Sequence, residues 1–220
     1  MKIAIIGING RMGKEVANAL RENNYDFFGI DKNDNFENYK LADILIEFTN
    51  RDANVEHIKY VLNEPRKYII GTTGFAEEDM ELIYKLSEKT AVFLSYNFSY
   101  GLNVLLKFLP LLYQNLLNYD LILYEMHHRH KKDKPSGTAK MILERLKKVN
   151  SGLNLEIFSY RIGGIFGEHT LIFSNESEVI EITHRALSRR VFALGVLKAI
   201  EFIKNKERGF FNMENLVEVL

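Results

Sequence analysis

Up to residue 98 the chain alternates two kinds of apolar pattern. Short runs such as "KIAII" (2–6), "DFFGI" (26–30), "ADILIEFT" (42–49), "KYIIGTTGF" (67–75) and "AVFLSYNF" (91–98) predict buried strands, some continuing into turns. Between them lie helical periodicities. Met12, Val16, Ala19 and Leu20 fall on one side of residues 12–23, and 52–63 and 77–89 are further helices. Strands alternating with helices predict right-handed crossovers and a doubly wound parallel α/β sheet.

The pattern changes after residue 98. A helix is expected over roughly 101–117, a strand over 119–128 and a helix over 137–148. Three strand-like runs then follow without helices between them, at 154–163, 168–175 and 178–186. Consecutive strands predict an antiparallel or mixed sheet, hence a second, α+β domain. An amphipathic helix over 189–205 and a partly helical tail complete the chain.

Composition removes several function classes. Lys plus Arg and Asp plus Glu both total 29, so no global charge draws the chain to nucleic acid or an anionic membrane. There is no cysteine, which excludes disulfides, thiolate catalysis and Cys-ligated metals. The opening "MKIAIIGINGRMG" does not have the form of a signal peptide. The longest apolar stretch is interrupted at Lys107, Pro110 and Gln114 and is too short to span a bilayer. The expected location is the cytoplasm.

"GINGRMG" places Gly7, Gly10 and Gly13 between a strand and a helix, where backbone N–H groups and the helix N-terminus face an anion. The usual dinucleotide fingerprint is G-x-G-x-x-G; here the third position is Asn9. Asp31 ends the second strand, where a ribose-binding carboxylate belongs, and favours NAD. Lys32 and Arg11 lie close in sequence and suit a 2′-phosphate, so use of both NADH and NADPH is expected. "GTTG" (71–74) and "SYNF" (95–98) follow later strands, which puts Gly71, Thr72, Thr73 and Asn97 where the nicotinamide half would lie; ordinary turn chemistry is the competing account.

"YEMHHRHKKDKPSGTAKMI" (124–142) concentrates three of the six histidines with four lysines and an arginine. Pro135 delays the helix, Ser136 is a natural N-cap, and Gly137 and Thr138 form an anion cradle in the first turn. His127 and Lys131 suit proton transfer, and the cluster suits a small carboxylate substrate. A solvated loop would explain the lysines but not the histidines. A zinc site would face four cationic side chains with a single acid, Asp133, nearby, so no metal is expected. A nucleic-acid patch would want interleaved aromatics.

These pieces, with "EFT" (47–49), "NFSYGLN" (97–103), "GEHT" (167–170) and "EITHRALSR" (181–189), resemble dihydrodipicolinate reductases along essentially the whole chain. The resemblance implies a Rossmann-type domain over 1–98 rejoined by 190–220, and a substrate-binding and oligomerisation domain over 99–189 that builds a homotetramer. It implies NADH- or NADPH-dependent reduction of 4-hydroxy-tetrahydrodipicolinate with loss of water, in lysine biosynthesis through diaminopimelate. Gly7, Ile8, Asn9, Gly10, Arg11 and Met12 would bind the pyrophosphate and adenosine side, with Asp31 and Lys32 at the ribose. Gly71, Thr72, Thr73, Ser95, Tyr96, Asn97 and Phe98 would lie near the nicotinamide. His127 would exchange a proton and Lys131 donate one, while His128, Gly137 and Thr138 would hold the substrate carboxylates. Aspartate in place of the more usual glutamate at position 31, and a short crossover to the third strand, depart from the family pattern. A Rossmann-type enzyme acting on amino-acid-like acids, such as an aspartate dehydrogenase, and a dinucleotide-sensing module are the alternatives.

Overall fold

A computed structural model describes residues 1–32 and 34–218. The chain divides into two compact units, one of Met1–Tyr100 with the chain from Arg190 onward, the other of Gly101–Arg189. Val219 and Leu220, which end the segment expected to rejoin the first domain, lie outside the described residues.

The first unit contains β1 (Lys2–Ile6), α1 (Arg11–Glu22), β2 (Asp26–Ile30), a 3₁₀ helix (Phe36–Leu41), β3 (Ile44–Glu47), α2 (Arg51–Val61), β4 (Lys67–Ile70), α3 (Glu77–Ser87) and β5 (Ala91–Leu94). After the second unit it resumes with α6 (Arg190–Ile203), β10 (Gly209–Phe211) and α7 (Met213–Glu218). The six strands pair in parallel in the order β10-β5-β4-β3-β1-β2. Both faces are covered, which is why the strands are continuously apolar. Ile3, Ile5, Ile44, Ile46 and Phe93 pack toward α1 and α6. Ala4, Ile6, Leu45, Tyr68 and Val92 share the opposite core with residues of α2 and α3. The 3₁₀ helix, capped by the Asn35 side chain, replaces a full crossover helix between β2 and β3. β10 was not foreseen in the tail: its three residues carry no periodicity, and pairing with β5 alone makes them a strand.

In the second unit, α4 (Tyr100–Asn115) enters from the first, followed by β6 (Asp120–His127), α5 (Gly137–Lys147), β7 (Ile157–Arg161), β8 (Gly167–Ser174) and β9 (Val179–Ala186). The sheet order is β7-β6-β8-β9, with β6 and β7 parallel and the other pairs antiparallel. Leu102, Leu106, Leu109 and Tyr113 of α4 and Ala139, Ile142 and Leu146 of α5 cover Leu123, Leu171 and Phe173 of the sheet. Among the described residues no helix is long and apolar enough to cross a membrane.

Candidate active site

In the first unit, strand register aligns every candidate turn along one edge. Ile6 pairs with Ile30 and Glu47, Glu47 with Ile70, and Ile70 with Leu94. Gly7, Asp31, Phe48, Gly71 and Ser95 therefore each begin the turn at the carboxyl end of a paired strand. β1 lies between β2 and β3, so the chain reverses direction across the sheet there, and ligands of such sheets sit at that switch point.

The glycine turn is built for backbone approach. Gly7 has φ +79°, a conformation unfavourable to residues with a Cβ. A Cβ on Gly13 would lie 2.3 Å from Gly7 O, and one on Gly10 3.1 Å from the same atom. Gly10 N donates to Gly7 O at 3.0 Å and caps α1 without a side chain. The first-turn amides after Gly10 have no intrahelical acceptor and carry the positive end of the helix dipole. This fits a pyrophosphate. Ile8 and Met12 are half-buried; Asn9 and Arg11 are exposed.

Asp31, half-buried at the end of β2, accepts from the Asn9 side chain and from Lys32 N at 2.9 Å. Asp34 Oδ2 accepts from Asp31 N at 2.6 Å, so a second carboxylate stands beside the first, while Lys32 is exposed. At the next turns Gly71 is half-buried against the Phe48 ring, Thr72 is buried and Thr73 exposed. Ser95 accepts at Oγ from Asn97 N (3.2 Å) and donates to Asn97 O (2.9 Å), Tyr96 is exposed, and Phe98 stacks with Phe93.

In the second unit the helix-covered face of the sheet changes character at one end. Along β6 that face runs Leu121, Leu123, Glu125, His127; its partners run Phe173, Leu171, His169 on β8 and Ile180, Ile182, His184 on β9. Apolar residues thus give way to a buried glutamate and three buried or half-buried histidines.

Glu125 is the centre of this end and is fully buried. Its Oε1 accepts from Arg161 Nη2 at 2.9 Å and from Ser136 N at 3.1 Å. Its Oε2 lies 3.1 Å from His127 Nδ1 and 3.6 Å from His169 Nε2. Burial alone would raise the Glu125 carboxyl. Donors from His127, Ser136, Ser159 and Arg161 outweigh it and hold the group well below the usual carboxylate range. His127 turns Nδ1 toward Glu125, and its other ring nitrogen, Nε2, lies beside Gly167. Gly167 leaves room for that ring: a Cβ there would stand 3.1 Å from His127 Nε2.

His169, 5% exposed, is pushed down to about 3, first by desolvation and then by His127, and so stays neutral at physiological pH. Its Nε2 meets Ser136 Oγ at 3.0 Å. Ser136 is the N-cap of α5, its Oγ accepting from Ala139 N at 3.2 Å. One serine therefore joins His169, Glu125 and the helix whose first turn holds Gly137 and Thr138, exposed and half-buried respectively.

Lys131 lies in the loop between β6 and α5 and pairs with Asp133 at 2.8 Å. Its own amide donates to His128 O at 3.1 Å, and the His128 and His130 rings are 6.3 Å apart. The Arg161 guanidinium donates to the carbonyl of Lys131 (3.3 Å) and to that of Asp133, tying this loop to β7.

Glu125, Arg161 and His169 were not singled out from the sequence. Strand alternation offered a signal for Glu125, two residues before His127 and therefore on the same face. Glu125, His127 and His169 present donor atoms within 4.8 Å of one another, a group that could hold a metal ion. A cation there would share Glu125 with the guanidinium at 2.9 Å, which opposes metal binding. The expected cofactor contacts fall in one compact unit and the expected catalytic and substrate contacts in the other.

Two family models match. Residues 1–98 match "Dihydrodipicolinate reductase, N-terminus" and residues 101–217 match "Dihydrodipicolinate reductase, C-terminus". The chain is 39% identical over 219 residues to the 4-hydroxy-tetrahydrodipicolinate reductase of Thermosipho africanus, covering 99% of this chain and 98% of that one. It is similar in structure to a dipicolinate-bound dihydrodipicolinate reductase from Paenisporosarcina sp. TG-14 (TM-score 0.81, 23% identity, 98% of each chain). An aspartate dehydrogenase from Thermotoga maritima shares the fold at TM-score 0.53 and 13% identity, covering 94% of this chain and 97% of its own.

Proposed function

The chain belongs to the dihydrodipicolinate reductase family, and from that premise we propose that it reduces 4-hydroxy-tetrahydrodipicolinate to tetrahydrodipicolinate with loss of water, in the diaminopimelate route to lysine. The observation that carries this reading is the buried Glu125–His127–His169 cluster joined through Ser136 to the start of α5. A dicarboxylate needs cationic and N–H donors, and the reaction needs a proton exchanged beside them; this end of the sheet supplies both.

His128 and the first-turn amides and hydroxyl of Gly137 and Thr138 bind the substrate carboxylates through charge-assisted hydrogen bonds. Lys131 adds a cation and donates the proton that completes reduction. His127 exchanges a proton, and Glu125 beside its Nδ1 orients the ring. Either group can make the last transfer in this reading. A reduced nicotinamide, when bound, supplies the hydride. Gly7 to Met12 hold its pyrophosphate and adenosine side, Asp31 and Lys32 meet the ribose, and the turns at Gly71–Thr73 and Ser95–Phe98 face the nicotinamide half.

Both NADH and NADPH serve in this reading, NADH better. Asp31 and Asp34 offer carboxylates to ribose hydroxyls and repel a 2′-phosphate, whereas the exposed Lys32 and Arg11 are screened by solvent. The assembly is a homotetramer formed on the uncovered face of the mixed sheet. Support comes from the apolar side chains it exposes, among them Tyr160 (52%), Val179 (60%) and Ile122 (38%). The enzyme works in the cytoplasm.

The test is oxidation of NADH, and separately of NADPH, with the substrate generated in place from pyruvate and aspartate semialdehyde by its synthase. Oxidation that depends on the synthase is expected. Its absence with both dinucleotides, from protein that binds them, would reject the assignment.

A further inference from the structure

The "EFT" segment (47–49) belongs to none of the contacts assigned above, yet it holds the most completely bonded carboxylate of the first unit. Glu47 ends β3, is fully buried, and stands next to β1 at the switch point. Its Oε1 accepts from Thr49 N at 3.1 Å and from the Thr49 hydroxyl. Its Oε2 accepts from Tyr68 OH at 2.8 Å and meets His57 Nδ1 at 2.7 Å. Tyr68, on β4, is itself fully buried, and His57 comes from α2. The carboxylate is therefore anchored from below by a neighbouring strand and a helix, and uses its other oxygen to hold one residue beyond its own strand.

That residue touches the cofactor turns on both sides. A Cβ on Gly7 would lie 2.9 Å from Thr49 Cγ2, so the threonine methyl packs against the turn after β1. Thr72 Oγ1 donates to Thr49 O at 3.2 Å, which links the turn after β4. Phe48, between the two, fills the space beside Gly71: a Cβ there would stand 2.0 Å from its ring. Residues 47–49 thus space the Gly7 and Gly71 turns apart, and the Glu47 side chain holds both the amide and the hydroxyl of Thr49.

We propose that Glu47 is a positioning residue for dinucleotide binding, acting through Thr49 to set the spacing between the Gly7 and Gly71 turns. This rests on the cofactor reading above and goes beyond it by assigning a residue that touches no ligand. The test measures equilibrium binding of NADH by its fluorescence, with melting temperature recorded beside it. Thr49→Val removes the hydroxyl donor and keeps the methyl against Gly7. Glu47→Gln replaces one acceptor oxygen by an amide donor at nearly constant shape. Thr49→Val is expected to weaken NADH binding roughly tenfold, on the scale of one lost hydrogen bond. Glu47→Gln should weaken it less. Because Thr49→Val removes the hydroxyl that Glu47 holds, the double variant should lose less than the sum of the two free energies.

A threonine hydroxyl that served the cofactor directly would give additive losses and overturn the role of Glu47. So would NADH binding at the wild-type level in folded Thr49→Val, which decides the matter even if Glu47→Gln does not fold. Wild-type protein that bound neither NADH nor NADPH would instead overturn the cofactor reading, and this inference with it.

Discussion

Glu47 and Glu125 are both fully buried glutamates at or near strand ends, each with the Nδ1 of a histidine beside it. They differ in what neutralises them. Glu47 is surrounded by a tyrosine hydroxyl, a threonine and an imidazole. Glu125 carries a guanidinium at 2.9 Å. A buried carboxylate with a fixed cation keeps its charge. Glu47, whose partners are two hydroxyls, an amide and an imidazole, anchors a backbone segment. The role proposed for the first is to shape a backbone cradle; the second sits among the side chains proposed to exchange protons.

The strongest way to break this contrast is to remove the cation. Arg161→Met should destabilise the protein by about 3–5 kcal/mol, since an uncompensated charge stays buried. Urea denaturation would show it, and adding Glu125→Gln should recover part of the loss. A loss under 1 kcal/mol, on the scale of a single neutral hydrogen bond, would mean that Glu125 is not held charged by Arg161.

Chemistry separates the two ends next. Lys131→Ala should lower turnover by about two orders of magnitude or more. Melting temperature should hardly move, because its partner Asp133 is half exposed. Steady-state rates with saturating NADH would check this, and near-normal turnover would remove Lys131 from its role.

Acid sharpens the comparison on the Glu125 side. His169 titrates near 6.5 when unfolded and near 3 when folded. Its contribution is therefore complete above pH 6.5 and is lost as pH falls toward 3, by about 1.4 kcal/mol per pH unit. Glu125, also depressed, adds to the loss only below its unfolded value near 4.5. Urea midpoints at pH 7 and 5 should fall further for wild type than for His169→Gln, which keeps a partner for Ser136. Equal falls would show that His169 is not the group responsible.

The smallest effect is expected at Glu47. Tyr68→Phe deletes one neutral donor among several and should cost about 1 kcal/mol, with turnover at saturating NADH unchanged. A cost matching Arg161→Met would erase the distinction between the two glutamates.

Local physics explains what was legible in the chain. Continuous apolar runs alternating with helical periodicity specify a doubly wound sheet, since only strands buried on both faces read that way. Strand-like runs after residue 150 specify a mixed second sheet, although the run at 154–163 orders as a strand only over Ile157–Arg161. Pro135 and Ser136 specify where α5 begins, because capping depends on neighbours in sequence. Gly7, at φ +79°, and Gly13, where a Cβ would meet Gly7 O at 2.3 Å, specify a tight turn.

What only the tertiary structure decided are the partnerships. Arg161 reaches Glu125 across 36 residues and His169 reaches Ser136 across 33, through strand order rather than periodicity. Glu47 meets Tyr68 because β3 and β4 are neighbours in the sheet, and β10 exists only because β5 offers an edge. Hydrophobic spacing records which face of an element is buried. It does not record which buried polar groups will satisfy one another, since that depends on the register between elements far apart in the chain.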